Sequence, residues 1–191
     1  MPDSDFKSAK KTRNAGVKQR PPFTPERLRD LALHYVGRYA TTRRRLSDYL
    51  KRKVRERGWE DGSGEQSGAT IETLIDQIVD LGYVDDQAFA AARAASLSRK
   101  GYGSLRIRAA LGAAGIEAEQ ARSLSTLNPE DALIAAFRFA KRKRIGPYAR
   151  GVPDQKSHQR AFAAFLRAGH SVGHARTVLA TSADALPVGD E

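Results

Sequence analysis

The chain reads as all-α, an elongated tandem array of three three-helix repeats. Three observations predict this. Apolar residues recur at helical spacing, and no alternating apolar and polar run argues for a strand. Cap residues, prolines and acids stand at the starts of these segments, and glycines at several of their stops. The middle helix of each unit also carries a related pattern. Arg106-Ile107-x3-Leu111-x3-Gly115-Ile116 returns as Arg160-Ala161-x3-Phe165-x3-Gly169-His170. Arg45-Leu46-x3-Leu50 matches its start in the first unit, where Gly58-Trp59 follows four residues late, about one helical turn. A three-helix unit of this size buries little alone, so neighbours complete its core.

The expected units are 23–84, 85–127 and 128–181, between a disordered basic tail at 1–22 and a flexible tail at 182–191. The first tail carries Lys7, Lys10, Lys11, Arg13, Lys18 and Arg20 but too few apolar residues to offset ordering entropy. Thr24, Pro25 and Glu26 start the first helix, and Leu28, Leu31, Ala32, Tyr35, Val36 and Tyr39 give it one apolar face. A second helix starts near Thr42, lines up Leu46, Tyr49, Leu50 and Val54, and ends at Gly58. Gly and Ser richness predicts a flexible loop from Trp59 to Ala69. The third helix buries Ile71, Leu74, Ile75, Ile78 and Val79 and stops at Gly82.

In the second unit the helices run from Asp86 to about Ser98, Ser104 to Ala114 and Glu117 to about Ser125. Asp85 and Asp86 stand between a helix stop and an apolar-periodic segment, which is a capping signature and not an acid–base or magnesium pair. The third unit opens on Asn128-Pro129-Glu130-Asp131 and continues with helices over Gln155 to Ala168 and Ser171 to Ala180.

Charge points to the kind of partner. Among 191 residues, 33 Lys and Arg outnumber 22 Asp and Glu, giving a net charge of +11. That excess favours nucleic acid or an acidic protein surface. Between Thr41 and Arg57 eight cations face only Asp48 and Glu56. With Leu46, Leu50 and Val54 inward, Arg44, Lys51, Arg52 and Arg55 point outward. The hinge Arg99-Lys100-Gly101-Tyr102-Gly103, with Arg106 and Arg108, is a second contact candidate, although cations and a glycine also suit a helix C-terminus. The run Lys141-Arg142-Lys143-Arg144 reads as a helix-end charge cluster.

Catalytic signals are lacking. There is no cysteine, so neither a disulfide framework nor a thiolate site is expected. His170 and His174 have ligand spacing without a third donor nearby, so no metal or other cofactor is expected. Gly62 to Thr70 lacks the Gly-Lys-Ser/Thr ending of a phosphate loop. No stretch approaches the ~20 apolar residues of a membrane span, and the first residues show no secretory signal. A cytoplasmic protein without enzymatic activity is the expectation.

The succession LGYVDDQAFA, SRKGYGSLRIRAAL and GI resembles the RecX regulatory proteins of bacteria. The resemblance covers Pro25 to Thr181, most specifically in the second unit. The segment from Trp59 to Ala69 departs from shorter members. The resemblance implies a monomeric regulator that lies in the deep groove of the RecA recombinase filament. It implies inhibition of ATP hydrolysis, strand exchange and coprotease activity, and so modulation of recombination, DNA repair and the SOS response. The alternative is a non-catalytic helical protein acting on single-stranded or duplex DNA. Glu72, Asp76 and Asp80 on the third helix argue against a recognition helix, while non-specific contacts from the basic second helix remain compatible with the pattern.

Overall fold

The computed structural model describes residues 21–60, 62, 64–151 and 154–185, so the tails expected at 1–22 and 182–191 fall largely outside them. Its helices are α1 (Pro25–Val36), α2 (Arg43–Arg57), α3 (Gly64–Asp80), α4 (Asp86–Arg99), α5 (Ser104–Gly112), α6 (Ala118–Ser125), α7 (Pro129–Lys143), α8 (Gln155–Arg167) and α9 (Val172–Ala180). Among the described residues there is no β-strand, only an isolated parallel bridge between Phe23 and Trp59. The fold is all-α, built from three-helix repeats.

Local chemistry sets most helix starts. Thr24 and Thr42 accept the Arg27 and Arg45 N–H groups at 3.3 and 3.2 Å. Asp85, Asn128, Asp154 and Ser171 cap α4, α7, α8 and α9 in the same way, at 2.7 to 3.0 Å. Each satisfies an N–H that the helix itself leaves unpaired. One segment departs from expectation. The loop expected from Trp59 to Ala69 is short, because α3 already begins at Gly64. Ser67 is buried and Ile71 is only 1% exposed, so packing holds as helix a stretch whose composition suggests coil. Asp61 and Ser63 lie outside the described residues.

Three apolar clusters follow one another along the chain. Leu28, Leu46, Leu50, Ile71, Ile75 and Ile78 fill the first, with Phe23 and Trp59 at its margin. Ala90, Leu97, Ile107, Leu111 and Ile116 form the second. Ala136, Phe139, Phe165, Ala175 and Val178 form the third. Tyr102 packs against both the second and the third.

The units meet through one joint, used twice. At the first joint Thr42 donates its hydroxyl to the carbonyl of Ala114 at 2.5 Å, and the N–H of Arg43 donates to Asp86 at 2.8 Å. The stem of Arg44 lies across Gly115, where an added Cβ would sit 2.5 Å from the Arg44 Cβ. Arg45 stands over the Phe89 ring at 5.4 Å. Four successive residues of the first unit thus grip the second. At the second joint Gly103 N–H donates to the Ala168 carbonyl at 2.9 Å and Leu105 N–H to that of Gly169 at 3.3 Å. In the repeat register Thr42 corresponds to Gly103, and Ala114 to Ala168. The same bond is made by a side chain in one joint and by the backbone in the other.

Thr42 is fully buried and bonds across the joint as well as capping, whereas Thr24 caps its helix and otherwise bonds only the exposed Glu26 carboxylate. Thr42→Ala is therefore expected to destabilise by about 2–3 kcal/mol and Thr24→Ala by about 1 kcal/mol. Urea unfolding monitored by circular dichroism measures both. Equal losses would mean that the hydroxyl bond to Ala114 adds nothing.

Candidate partner-binding surface

Of the eight cations on α2, six have partners within the chain. Arg43 pairs with Asp76 and, at 3.9 Å, with Glu72 on α3. The Asp76 hydrogen bond raises the Arg43 pKa above its usual value. Lys51 bonds Glu72 at 2.9 Å, and this bond holds the Glu72 carboxyl below the usual carboxylate range. Arg52 and Lys53 reach Glu56 at 3.7 and 2.6 Å. Arg45 covers Phe89, and Arg57 covers the Phe23 ring at 4.5 Å while donating to the Pro21 carbonyl. That leaves Arg44 and Arg55, both exposed and without an ion pair among the described residues. Glu72 and Asp76 are therefore not only exposed acids on α3; they neutralise part of the basic helix beside them.

Arg44, Lys51, Arg52 and Arg55 all stand on exposed positions of α2. The other expected group divides. Arg99, Lys100 and Arg106 are exposed and make no ion pair among the described residues. Tyr102 is half-buried between two cores with the Arg142 guanidinium 4.8 Å from its ring centre. Arg108 is half-buried and donates to Ser125 at 3.4 Å. The surface cations at the second joint are thus Arg99, Lys100 and Arg106, while Tyr102 and Arg108 are held within the protein. The basic run after Phe139 includes Arg142, whose guanidinium also lies 5.6 Å from the Phe139 ring.

The aspartate pair caps two different helices. Asp85 accepts from Ala88 in its own helix, and Asp86 accepts from Arg43 at the start of α2. Among the described residues no group of three His, Cys, Asp or Glu side chains could hold a metal. No described helix is long and apolar enough to cross a membrane.

His170 sits inside the second joint, 3% exposed, with its Nε2 3.1 Å from the Gly101 carbonyl. Phe139 and Phe165 flank its ring at 5.5 and 5.6 Å. Burial lowers its pKa from 6.5 to about 4, and His174 adds to the shift against the opposing Gly101 bond. Between these values the unfolded chain binds a proton that the folded chain does not, so stability falls with falling pH. Unfolding free energy is expected to drop by about 2 kcal/mol between roughly pH 7 and pH 5. His170→Gln should flatten that slope. An unchanged slope in the variant would assign it to other groups.

Fold and surface together define a class: a tandem array of three-helix units that displays unpaired cations on α2 and around its second joint. Residues 85–123 match the family described as RecX, second three-helix domain. The chain is 33% identical over 177 residues to "Regulatory protein RecX" of Myxococcus xanthus, covering 88% of this chain and 92% of that protein. It is 30% identical over 156 residues to the protein of the same name from Agrobacterium fabrum, covering 82% and 83%. The chain belongs to the RecX family. The crystal structure of RecX from Lactobacillus salivarius superposes with a TM-score of 0.58 at 18% identity, over 81% of this chain and 94% of that one, and shows the shared fold.

Proposed function

We propose that this protein is a regulator of the RecA recombinase, binding along the groove of its filament and inhibiting ATP hydrolysis, strand exchange and coprotease activity. The observation that carries this is family membership along most of the chain, with relatives named as regulatory proteins. Exposed Arg44, Lys51, Arg52 and Arg55 on α2 and Arg99, Lys100 and Arg106 at the second joint support the reading. They supply several modest charge contacts that act together when the array is engaged along its length. The mechanism is occupation: the bound array restrains the filament or blocks a second DNA strand. No catalytic step is assigned to it, and it works in the cytoplasm as a monomer.

Titrating the protein into recombinase turning over ATP on single-stranded DNA tests this. Saturable loss of ATPase activity is expected. Full activity at saturating protein would overturn the reading.

A further inference from the structure

A cavity of about 780 Å³ opens between the second half of α2 and the first turns of α3. Lys51, Arg52 and Arg55 line one side, and Val54, Trp59 and Ile71 supply apolar surface. Asp48, Gly62, Ser67 and Gly68 complete the wall. It is not filled by any side chain of the first core, although it borders that core directly.

We propose that this cavity receives an acidic peptide segment of a protein partner, with an apolar side chain seated against Val54, Trp59 and Ile71 and a neighbouring carboxylate on Arg55. Charge complementarity selects the occupant. Glu72 already neutralises Lys51 and Glu56 approaches Arg52, so Arg55 is the wall cation with no ion pair among the described residues. One free guanidinium suits a single carboxylate, which it can hold through paired hydrogen bonds. A nucleic acid strand brings a phosphate at every step and would meet Asp48 on the same wall. Trp59 is only 8% exposed, too little surface for a base to stack on. A buried apolar anchor beside a charge contact is the usual composition of an interface hot spot.

The partner's identity rests on the filament reading above, and the test separates the two. Trp59 is the single tryptophan of the chain, so its emission reports occupancy of this cavity. Gly68 offers a way to block it: a Cβ there meets nothing within 4 Å, and its backbone is ordinary helix. Gly68→Leu fills the cavity without touching a charge, and circular dichroism checks that it folds.

The probe is a tryptophan-free peptide with the core Leu-Asp-Phe-Glu, compared with Leu-Asn-Phe-Gln, with Ser-Asp-Ser-Glu and with oligo-dT. The acidic apolar peptide is expected to shift Trp59 emission saturably. Gly68→Leu and Arg55→Glu should each weaken it more than tenfold, and the two control peptides should bind at least tenfold more weakly. No emission change with the first peptide, or equal binding by Gly68→Leu, overturns the proposal. A response to oligo-dT alone that Gly68→Leu abolishes would make this a nucleic acid site and overturn it as well. If Gly68→Leu inhibits the recombinase normally while reversal of Arg99, Lys100 and Arg106, which lie outside the cavity, weakens inhibition, the cavity assignment fails and the filament reading stands. If the wild-type protein fails to inhibit, the filament reading fails and the peptide titration still decides the cavity.

Discussion

Gly103→Ala is expected to lose about 3 kcal/mol or more of stability. The backbone of Gly103 is ordinary, so the loss is one of space alone. An added Cβ would stand 2.2 Å from the Gly169 carbonyl oxygen and 2.6 Å from the His170 nitrogen. These are main-chain atoms at a helix end and have no rotamer by which to move away. Relief requires the third unit to shift off the second. That weakens the Gly103–Ala168 and Leu105–Gly169 bonds and the His170 contact with Gly101. Gly112→Ala makes the same chemical change on α5 where nothing lies within 4 Å, and its effect should be no more than about 1 kcal/mol, stabilising if anything. Urea titration of the pair checks both. In Gly103→Ala the third unit should also unfold in a separate, earlier transition, because the joint that couples it is strained. A Gly103→Ala protein as stable as its parent would mean that the two turns do not dock as described.

Reversing the exposed cations is expected to weaken inhibition of the recombinase by more than tenfold without a comparable loss of folding stability. Arg44→Glu with Arg55→Glu alters the α2 face, and Arg99→Glu, Lys100→Glu and Arg106→Glu alter the second joint. Lys51 is left in place because it pairs with Glu72 on α3, and reversing it would set two acids together. An exposed charge contact is worth about 1 kcal/mol or less, and 1.4 kcal/mol is tenfold in affinity, so two or three contacts suffice. Arg44 lays its stem on Gly115 and Arg106 its backbone and Cβ on Gly169, and glutamate keeps a stem of similar length at the first and the same atoms at the second, which spares the joints. The measurements are ATPase inhibition and its salt dependence, alongside thermal unfolding. Unchanged inhibition in both variants would mark these cations as ordinary solvated surface.

Helix positions were legible because their signals are local. Thr24 with Pro25, Asn128 with Pro129, and Asp85 each act within a turn of themselves, and the structure uses them as caps. The first turns of α3 were not legible. Gly64 to Ala69 are helical in a run where Ser67 is buried and Ile71, two turns into the helix, closes against a core shared with α1 and α2, which composition does not encode. The basic surface was half legible. Periodicity put Arg44 and Arg55 outward, but which cations lack partners depends on acids of α3 more than fifteen residues away. The second joint was least legible. Its decisive property is the absence of side chains at Gly103 and Gly169, which dock only once both turns have formed. His170 is the clearest case: its place beside Gly101 follows only once both turns are docked.

The repeated joint makes the molecule a ruler rather than a string. Backbone bonds and direct helix-end contacts, in place of a flexible tether, fix the distance and angle from one unit to the next. A partner with its own regular spacing then meets contacts set out at intervals, and the orientation of each later contact is already decided when the first is made. A lattice of different pitch would have to strain these bonds to engage every unit. Discrimination between one repeating surface and another can thus reside in length and angle, with no single residue responsible for it.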